Sequence, residues 1–380
     1  MGLDADVIIV GGGPGGASTA YFLEKWGCRT LVLERKRIPR YKTCAGGIPG
    51  SALELFPFSF SGVIEQTMER GTFRCGDRGV TQPLPEGALH MVQRSDFDAF
   101  LLQSSGAEIL EGEKAVRVDQ GSDRVRVATQ SGKHLSARYL VGADGPQSVV
   151  ARQAGMRKSE GTGLGLEVEV DPGPELLEAF RGRFLVGFGT VANGYYWIFP
   201  KSGHLSVGIG SMGHDRRQLL PLLKRAMSGQ GIDVNGHPCR AHPLPVYRSD
   251  AQRQSGRILL VGDAAGLVDP LTGEGIRHAL VSGKLAAEAV AGEKPAAYSR
   301  WIDKRIGKDL WWASIFARMF YKRQQGCFEW LVRNRYVFRD MMRIVNFSLG
   351  YRASLFKTPL YILNWGKREP LDEEGTGAGL

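Results

Sequence analysis

What this sequence lacks narrows its chemistry first. Its five cysteines, Cys28, Cys44, Cys75, Cys239 and Cys327, are odd in number and widely spaced, with no C-x-x-C pair. That excludes a disulfide framework, a dithiol centre and a thiolate zinc site, so reduced thiols and no metal are expected. No apolar run approaches the roughly 18 residues of a membrane span. The strand DVIIV begins at Asp6, which leaves no room for the charged and apolar parts of a secretion signal, and a cytoplasmic protein is expected. Acidic charge is in deficit, with 39 Asp and Glu against 49 Lys and Arg, a net +10. The excess is local: Trp301 to Lys357 hold twelve basic and four acidic residues, a net +8. No groove-reading motif accompanies that charge, so nucleic acid is not the expected partner.

What is present is a phosphate cradle. DVIIV runs into Gly11, Gly12, Gly13, Pro14, Gly15 and Gly16, then the helical stretch ASTAYFLEKWG, then the strand CRTLVLE ending at Glu34. In this β-α-β unit Gly11 permits the tight turn and Gly13 lets a pyrophosphate reach the helix N-terminus. Gly16 brings helix and strand together, and Glu34 accepts ribose hydroxyls. The unit alone does not separate FAD from NAD. A second G-x-G-x-x-G match, Gly208, Gly210 and Gly213, is rejected, because the strand HLSVGIG follows YYWIFP through the short turn Lys201-Ser202-Gly203. Such a turn makes an antiparallel hairpin, not the parallel crossover of a nucleotide site.

Further downstream, RILLVGDAAGLVDPLTGEGIRHALVSG places Asp263 at a strand end and a glycine-rich approach to a helix at Gly273, Glu274, Gly275 and Ile276. This layout suits a flavin: Asp263 holds ribityl hydroxyls, and the helix N-terminus faces the ring edge that becomes negative on reduction. Between the two lies RYLVGADGPQSVVAR, a third strand end carrying Asp144 and Gly145.

Taken together over residues 5 to 300, these stretches resemble the FAD-binding fold of aromatic hydroxylases, and among their relatives the geranylgeranyl reductase family. The narrower match rests on Cys44, Gly46 and Gly47 in KTCAGGIP and on Tyr195, Trp197, Phe199 and Pro200 in GYYWIFP. Two departures loosen the substrate assignment: Ala192 stands where relatives have proline, and Ala45 where glycine is common. The resemblance implies FAD, an arginine near its phosphates at Arg94, and contact of Cys44 and Ala45 with the flavin. It implies reduction of carbon-carbon double bonds in a geranylgeranyl or other polyprenyl chain.

In a strand, Tyr195, Trp197 and Phe199 share one face while Tyr196 and Ile198 share the other, which makes either an aromatic slot for an apolar chain or ordinary sheet core. An isolated alkene has no carbonyl to polarise it. Its saturation therefore calls for a protein or water proton as hydride arrives from reduced flavin N5, with aromatic faces beside the developing cation. Cys44 is a proton donor, a substrate contact or a small apolar filler, and Tyr195 and His278 are rival donors.

From Ile302, apolar residues recur at Ile306, Leu310, Ala313, Phe316, Ala317 and Phe320, one buried helical face. Trp301, Trp311, Trp312, Trp330 and Trp365 are interleaved with Arg and Lys, as in a helix lying peripherally on anionic lipid or packed on its own protein. The expected fold is α/β. A discontinuous Rossmann-like FAD-binding domain takes residues 1–72, 96–160 and 246–300, and an antiparallel-sheet substrate domain takes 73–95 and 161–245. A basic, Trp-rich helical region takes 301–369, and a disordered tail 370–380. No second nicotinamide domain is evident, so electrons are expected from NAD(P)H docking transiently or from an acidic carrier such as ferredoxin. Two other readings stay open, an FAD-dependent aromatic monooxygenase or halogenase, and a non-enzymatic flavoprotein that docks at membranes.

Overall fold

The computed structural model describes residues 2–156 and 162–354. The chain forms two compact units, one of Met1–Lys42, Arg94–Gly161 and Leu244–Trp311, the other of Thr43–Gln93, Thr162–Pro243 and Trp312–Leu380.

The first unit is built on the run DVIIV. Val7, Ile8 and Ile9 are fully buried, as a strand covered on both faces requires. Ala5–Val10 lies parallel between His134–Gly142 and Thr30–Glu34, with Val7 opposite both Tyr139 and Thr30. Glu108–Glu111 and Ile258–Leu260 extend the parallel sheet on either side. Ala115–Gln120 and Val125–Thr129 add an antiparallel ribbon. The helices Pro14–Lys25 and Ile276–Ala291 pack backbone to backbone: a Cβ at Gly283 would stand 2.5 Å from the Gly15 carbonyl oxygen, and Ser18 Oγ donates to Leu280 O at 2.7 Å. Since the central strands are parallel, the segments after Val10, Glu34, Gly142 and Leu260 all emerge at one edge of the sheet, where ligands of such sheets bind.

The second unit is a seven-stranded sheet in the order Arg240–Pro245, Thr162–Val170, Leu205–Met212, Gly194–Pro200, Arg183–Phe188, Arg70–Cys75, Arg78–Pro83. Within it Arg183–Phe188 pairs parallel with Arg70–Cys75. One face carries Leu166, Val168, Tyr196, Ile198, Val207 and Ile209 and is covered by Leu219, Leu223 and Met227 of the helix Arg216–Ser228. Asp215 and Gln218 close a capping box at the start of that helix. On the opposite face Phe73 and Phe184 pack with Phe328, Phe338 and Met342 of the C-terminal helices Gln324–Arg333 and Arg335–Val345. Burial of each such side chain contributes about 1.5–3 kcal/mol.

This is the expected α/β class, with different partitions of the chain. Residues 43–72 belong to the sheet unit instead of the nucleotide-binding one, because Gly47–Pro49 and Ile64–Thr67 both pair with Leu89–Val92 and Arg70–Cys75 joins the large sheet. Residues after 300 form no separate region: 301–311 belong to the first unit and 312–354 to the second. Residues 355–369, with Trp365, and the tail 370–380 lie outside the described residues.

Gly208 and Gly210 sit in the antiparallel hairpin expected of them, opposite Trp197 and Tyr195. A Cβ at Gly208 would collide with the Trp197 ring and the Leu166 carbonyl, so this glycine makes room for an indole and not for a phosphate. Gly208→Ala is expected to destabilise the protein by about 1–3 kcal/mol, the range for overpacking a core. An unchanged urea midpoint would show that the indole moves aside freely.

Candidate functional site

At the parallel-strand edge of the first unit the backbone is threaded tightly. Gly11 has φ +106°, and a Cβ there would collide with the Ala143 carbonyl. One at Gly16 would collide with the Gly11 carbonyl. Glu34, buried at its strand end, accepts the Gly12 amide at 2.9 Å and the Lys36 amide at 3.0 Å. Gly13 is the N-cap of the helix Pro14–Lys25 with no side-chain cap bond. A Cβ on Gly13 would meet Arg40 Nη2 at 3.6 Å. Bare helix-end amides beneath a guanidinium suit a pyrophosphate.

Arg40 is the residue that sequence reasoning missed, and its only signal was a basic side chain soon after the Glu34 strand end. It also reaches Glu34 at 3.4 Å and Asp98 at 3.1 Å. Arg94 forks onto Asp98, with Nε and Nη2 each 2.9 Å from a carboxylate oxygen. Asp144 caps the following helix: its carboxylate accepts from Ser148 Oγ and from the amides of Val149 at 2.6 Å and Val150 at 3.2 Å. Burial pushes this carboxyl upward against the pull of those bonds.

Asp263 follows the strand Ile258–Leu260, and a Cβ on Gly275 would lie 3.3 Å from its Oδ1. The loop before the helix Ile276–Ala291 is organised by the buried Asp269, which accepts the Leu271 and Thr272 amides at 2.7 and 3.0 Å. Gly273 adopts φ +70° within it. Glu274 folds over the helix start, accepting the Arg277 amide at 2.6 Å, so one of the helix-end amides is already taken. Its other oxygen lies 3.1 Å from His278 Nδ1. Burial pushes the Glu274 carboxyl up to about 7. Burial and then the Arg277 cation push His278 down to about 3. The imidazole is therefore neutral at physiological pH.

Cys44 and Ala45 fall in the second unit, which has a chemistry of its own. The Cys44 amide donates to Glu167 Oε2 at 2.8 Å, and Ser206 Oγ donates to Glu167 Oε1 at 2.8 Å. The Gly46 amide donates to Cys44 Sγ at 3.4 Å. A Cβ on Gly47 would stand 2.9 Å from the Phe199 ring. Register places Glu167 beside Gly208 and Trp197, and Glu169 beside Ser206 and Phe199, all on the face opposite the Tyr196 and Ile198 core. Tyr195 packs edge to face on Trp197 and Phe188, with ring centroids 6.2 and 6.0 Å apart. Phe199 meets Phe184 in the same way at 5.6 Å. The Trp197 Nε1 is buried without a hydrogen-bond partner among the described residues, an orphan donor that a native structure seldom leaves without cause. No group of His, Cys, Asp and Glu able to hold a metal occurs among the described residues.

The chain matches the FAD binding domain family over residues 4–288. It is 31% identical over 313 residues to a digeranylgeranylglycerophospholipid reductase of Methanopyrus kandleri, covering 75% of this chain and 80% of that one. It is 30% identical over 311 residues to a menaquinone reductase of Mycobacterium tuberculosis, covering 75% and 76%. A geranylgeranyl bacteriochlorophyll reductase-like protein of Thermoplasma acidophilum superposes with TM-score 0.76 at 21% identity, over 95% of this chain and 96% of that one. A flavin-dependent brominase does so with TM-score 0.71 at 18% identity, over 95% and 99%. At such identities the structural likenesses speak for the fold alone.

The Glu274–His278 pair has a pH signature. Glu274 holds its proton more tightly folded than unfolded, so alone it makes stability fall as pH rises from about 4.5 to about 7. His278 holds its proton less tightly folded, so alone it makes stability rise from about 3 to about 6.5. Between 4.5 and 6.5 the slopes cancel. In His278→Asn only the falling slope survives, and the stability deficit against wild type is expected to grow by about 1.4 kcal/mol per pH unit across that window in urea titrations. A constant deficit would mean that the folded imidazole is charged.

Proposed function

We propose, from the premise that this chain belongs to the geranylgeranyl reductase family of FAD-dependent oxidoreductases, that it saturates carbon-carbon double bonds of a polyprenyl chain. The observation that carries the reading is the sheet face on which Tyr195, Trp197 and Phe199 lie with the Cys44 loop packed against Phe199. It joins an apolar aromatic wall to a fixed thiol, which an alkene with no polar handle needs. Each CH₂ buried there would contribute about 0.8 kcal/mol, ample for a twenty-carbon chain.

Bound FAD would supply hydride. Gly11, Gly13, Gly16, Glu34 and Arg40 would hold its adenosine and pyrophosphate end, and Asp263 with Gly273, Glu274, Gly275 and Ile276 its ribityl and ring end. The protein's own task is the proton. His278 is neutral and turned to Glu274, which disfavours it as the acid. Cys44 is held at its amide by Glu167 and at its sulfur by the Gly46 amide, and Sγ–H is the proton we assign to the alkene carbon. Electrons would enter from NAD(P)H or an acidic ferredoxin-like carrier drawn by the basic surface.

The test is anaerobic. The reduced protein is mixed with geranylgeranyl compounds of different head groups, and flavin absorbance and product mass are followed. A gain of about two daltons per bond accompanying flavin reoxidation is the expected result, with slower reoxidation in Cys44→Ala. Reoxidation only when oxygen is admitted, with an oxygen or halogen atom added to an aromatic compound, would replace this reading with the hydroxylase or halogenase one.

No helix among the described residues is long and apolar enough to cross a membrane. Of the face expected from Ile302 to Phe320, Ile302, Ile306, Leu310, Ala313 and Ala317 are buried while Phe316 and Phe320 are half-buried, and Phe338 and Met342 of the helix Arg335–Val345 are in the sheet core. Met319 of the helix Lys308–Lys322 is 60% exposed beside exposed Arg318, Lys322 and Arg323, and we propose it as a peripheral contact with anionic lipid. Flotation with anionic vesicles should carry the wild type at low salt and far less Met319→Asp. Equal flotation of both would remove this surface from the reading.

A further inference from the structure

Lys201 follows the aromatic strand directly and is buried, 1% exposed. Its Nζ donates to the Val92 carbonyl oxygen at 2.7 Å. Gly46, at φ +70°, is the contact between this ammonium and the cysteine: a Cβ there would collide with both Lys201 Nζ and Val92 O, while the Gly46 amide donates to Cys44 Sγ at 3.4 Å. A lysine is seldom buried without a carboxylate bonded to it, since desolvating its charge is costly. Here the bonded partner is a neutral carbonyl, and the ammonium stands against the glycine that cradles the thiol.

We propose that Lys201 is a positioning residue for Cys44, whose charge stabilises the thiolate left when Cys44 gives up its proton and whose own proton restores the thiol. The idea rests on the reductase reading for its purpose, though not for its test. In turnover the S–H bond of Cys44 breaks and its proton forms one new C–H bond of the substrate. Bound reduced FAD would supply the hydride for the other, which balances the two electrons the alkene gains. The thiolate then takes a proton from Lys201 Nζ, which regains one from water.

Burial pushes the Lys201 ammonium down to about 8, and the groups drawing it back are, in order, Cys44, Glu65, Glu167 and Glu169. Glu65 belongs to the strand Ile64–Thr67 and the other two carboxylates to Thr162–Val170. Glu169 is itself approached by His204 at 3.9 Å and Arg240 at 4.0 Å. Lys201 is therefore a cation at pH 7 that becomes neutral within the range accessible to a thiol assay.

The experiment is iodoacetamide alkylation of the FAD-loaded protein from pH 6.5 to 9.5, with Cys44 modification read by peptide mass spectrometry against the other four cysteines. It needs no substrate and no flavin reduction, so it stands or falls apart from the reductase assay. At pH 7 Cys44 in Lys201→Met should react about tenfold more slowly than in the wild type, because the thiolate is the nucleophile and has lost its neighbouring cation. The ratio should fall toward one as pH passes through 8. Lys201→Arg, which keeps its charge throughout, should match the wild type at pH 7 and exceed it above pH 8, and it guards against a Met variant that fails to fold. A ratio that stays near one, or a deficit that does not change with pH, would overturn the proposal and leave Lys201 a purely structural clamp on Val92.

Discussion

Backbone lies directly on backbone at the edge of the parallel sheet, and the nucleotide-binding unit depends on that closeness. Gly11 abuts the Ala143 carbonyl, Gly16 abuts the Gly11 carbonyl, and Gly15 meets Val261 and, through Gly283, the second long helix. An added Cβ at Gly11 or Gly16 would collide with strand-end backbone, and one at Gly283 would push the two helices apart. The Glu34 carboxylate fixes the same turn from its other side by accepting the Gly12 amide. The bare amide end under Arg40 is thus a product of packing that leaves no room for side chains.

The sheet unit follows a different rule, a division between its two faces. Leu166, Val168, Tyr196 and Ile198 point to a wholly apolar core, while Glu167, Glu169, Trp197 and Phe199 alternate with them and point the other way. Desolvating carboxylates and an ammonium beside aromatic rings works against stability unless each is bonded. Glu167 is bonded to the Cys44 amide and Ser206, and Lys201 to the Val92 carbonyl, so these buried polar groups have partners and tie the glycine-rich loop to the sheet. Both faces are covered, one by the helix Arg216–Ser228 and the other by the C-terminal helices, but the second also carries buried charged groups among its aromatic rings.

The proton inventory of the two units is likewise divided. Near the Ile276 helix, burial leaves a carboxyl that keeps its proton up to about 7 and an imidazole that refuses one above about 3, a pair with almost no net charge response between. In the sheet unit the buried lysine near 8 responds just above physiological pH. A reaction requiring a mobile proton is better matched to the second arrangement than to the first.

By itself the sequence determined what is local. The run DVIIV, its glycine turn and Glu34 specify a β-α-β unit within thirty residues, and the alternation in YYWIFP assigns Trp197 and Phe199 to one face, because strand period and glycine geometry act over a few bonds. Only the tertiary structure decided what is distant. Cys44 meets Glu167 across 123 positions, and Lys201 meets Val92 across 109. Arg40 is placed over the helix start and meets Asp98 across 58 positions. Residues 43–72 changed unit for the same reason: a short strand such as Gly47–Pro49 has no preference of its own, and its hydrogen bonds went to Leu89–Val92. Charge pairing and strand pairing depend on what folding brings near, which neither periodicity nor motif spacing records.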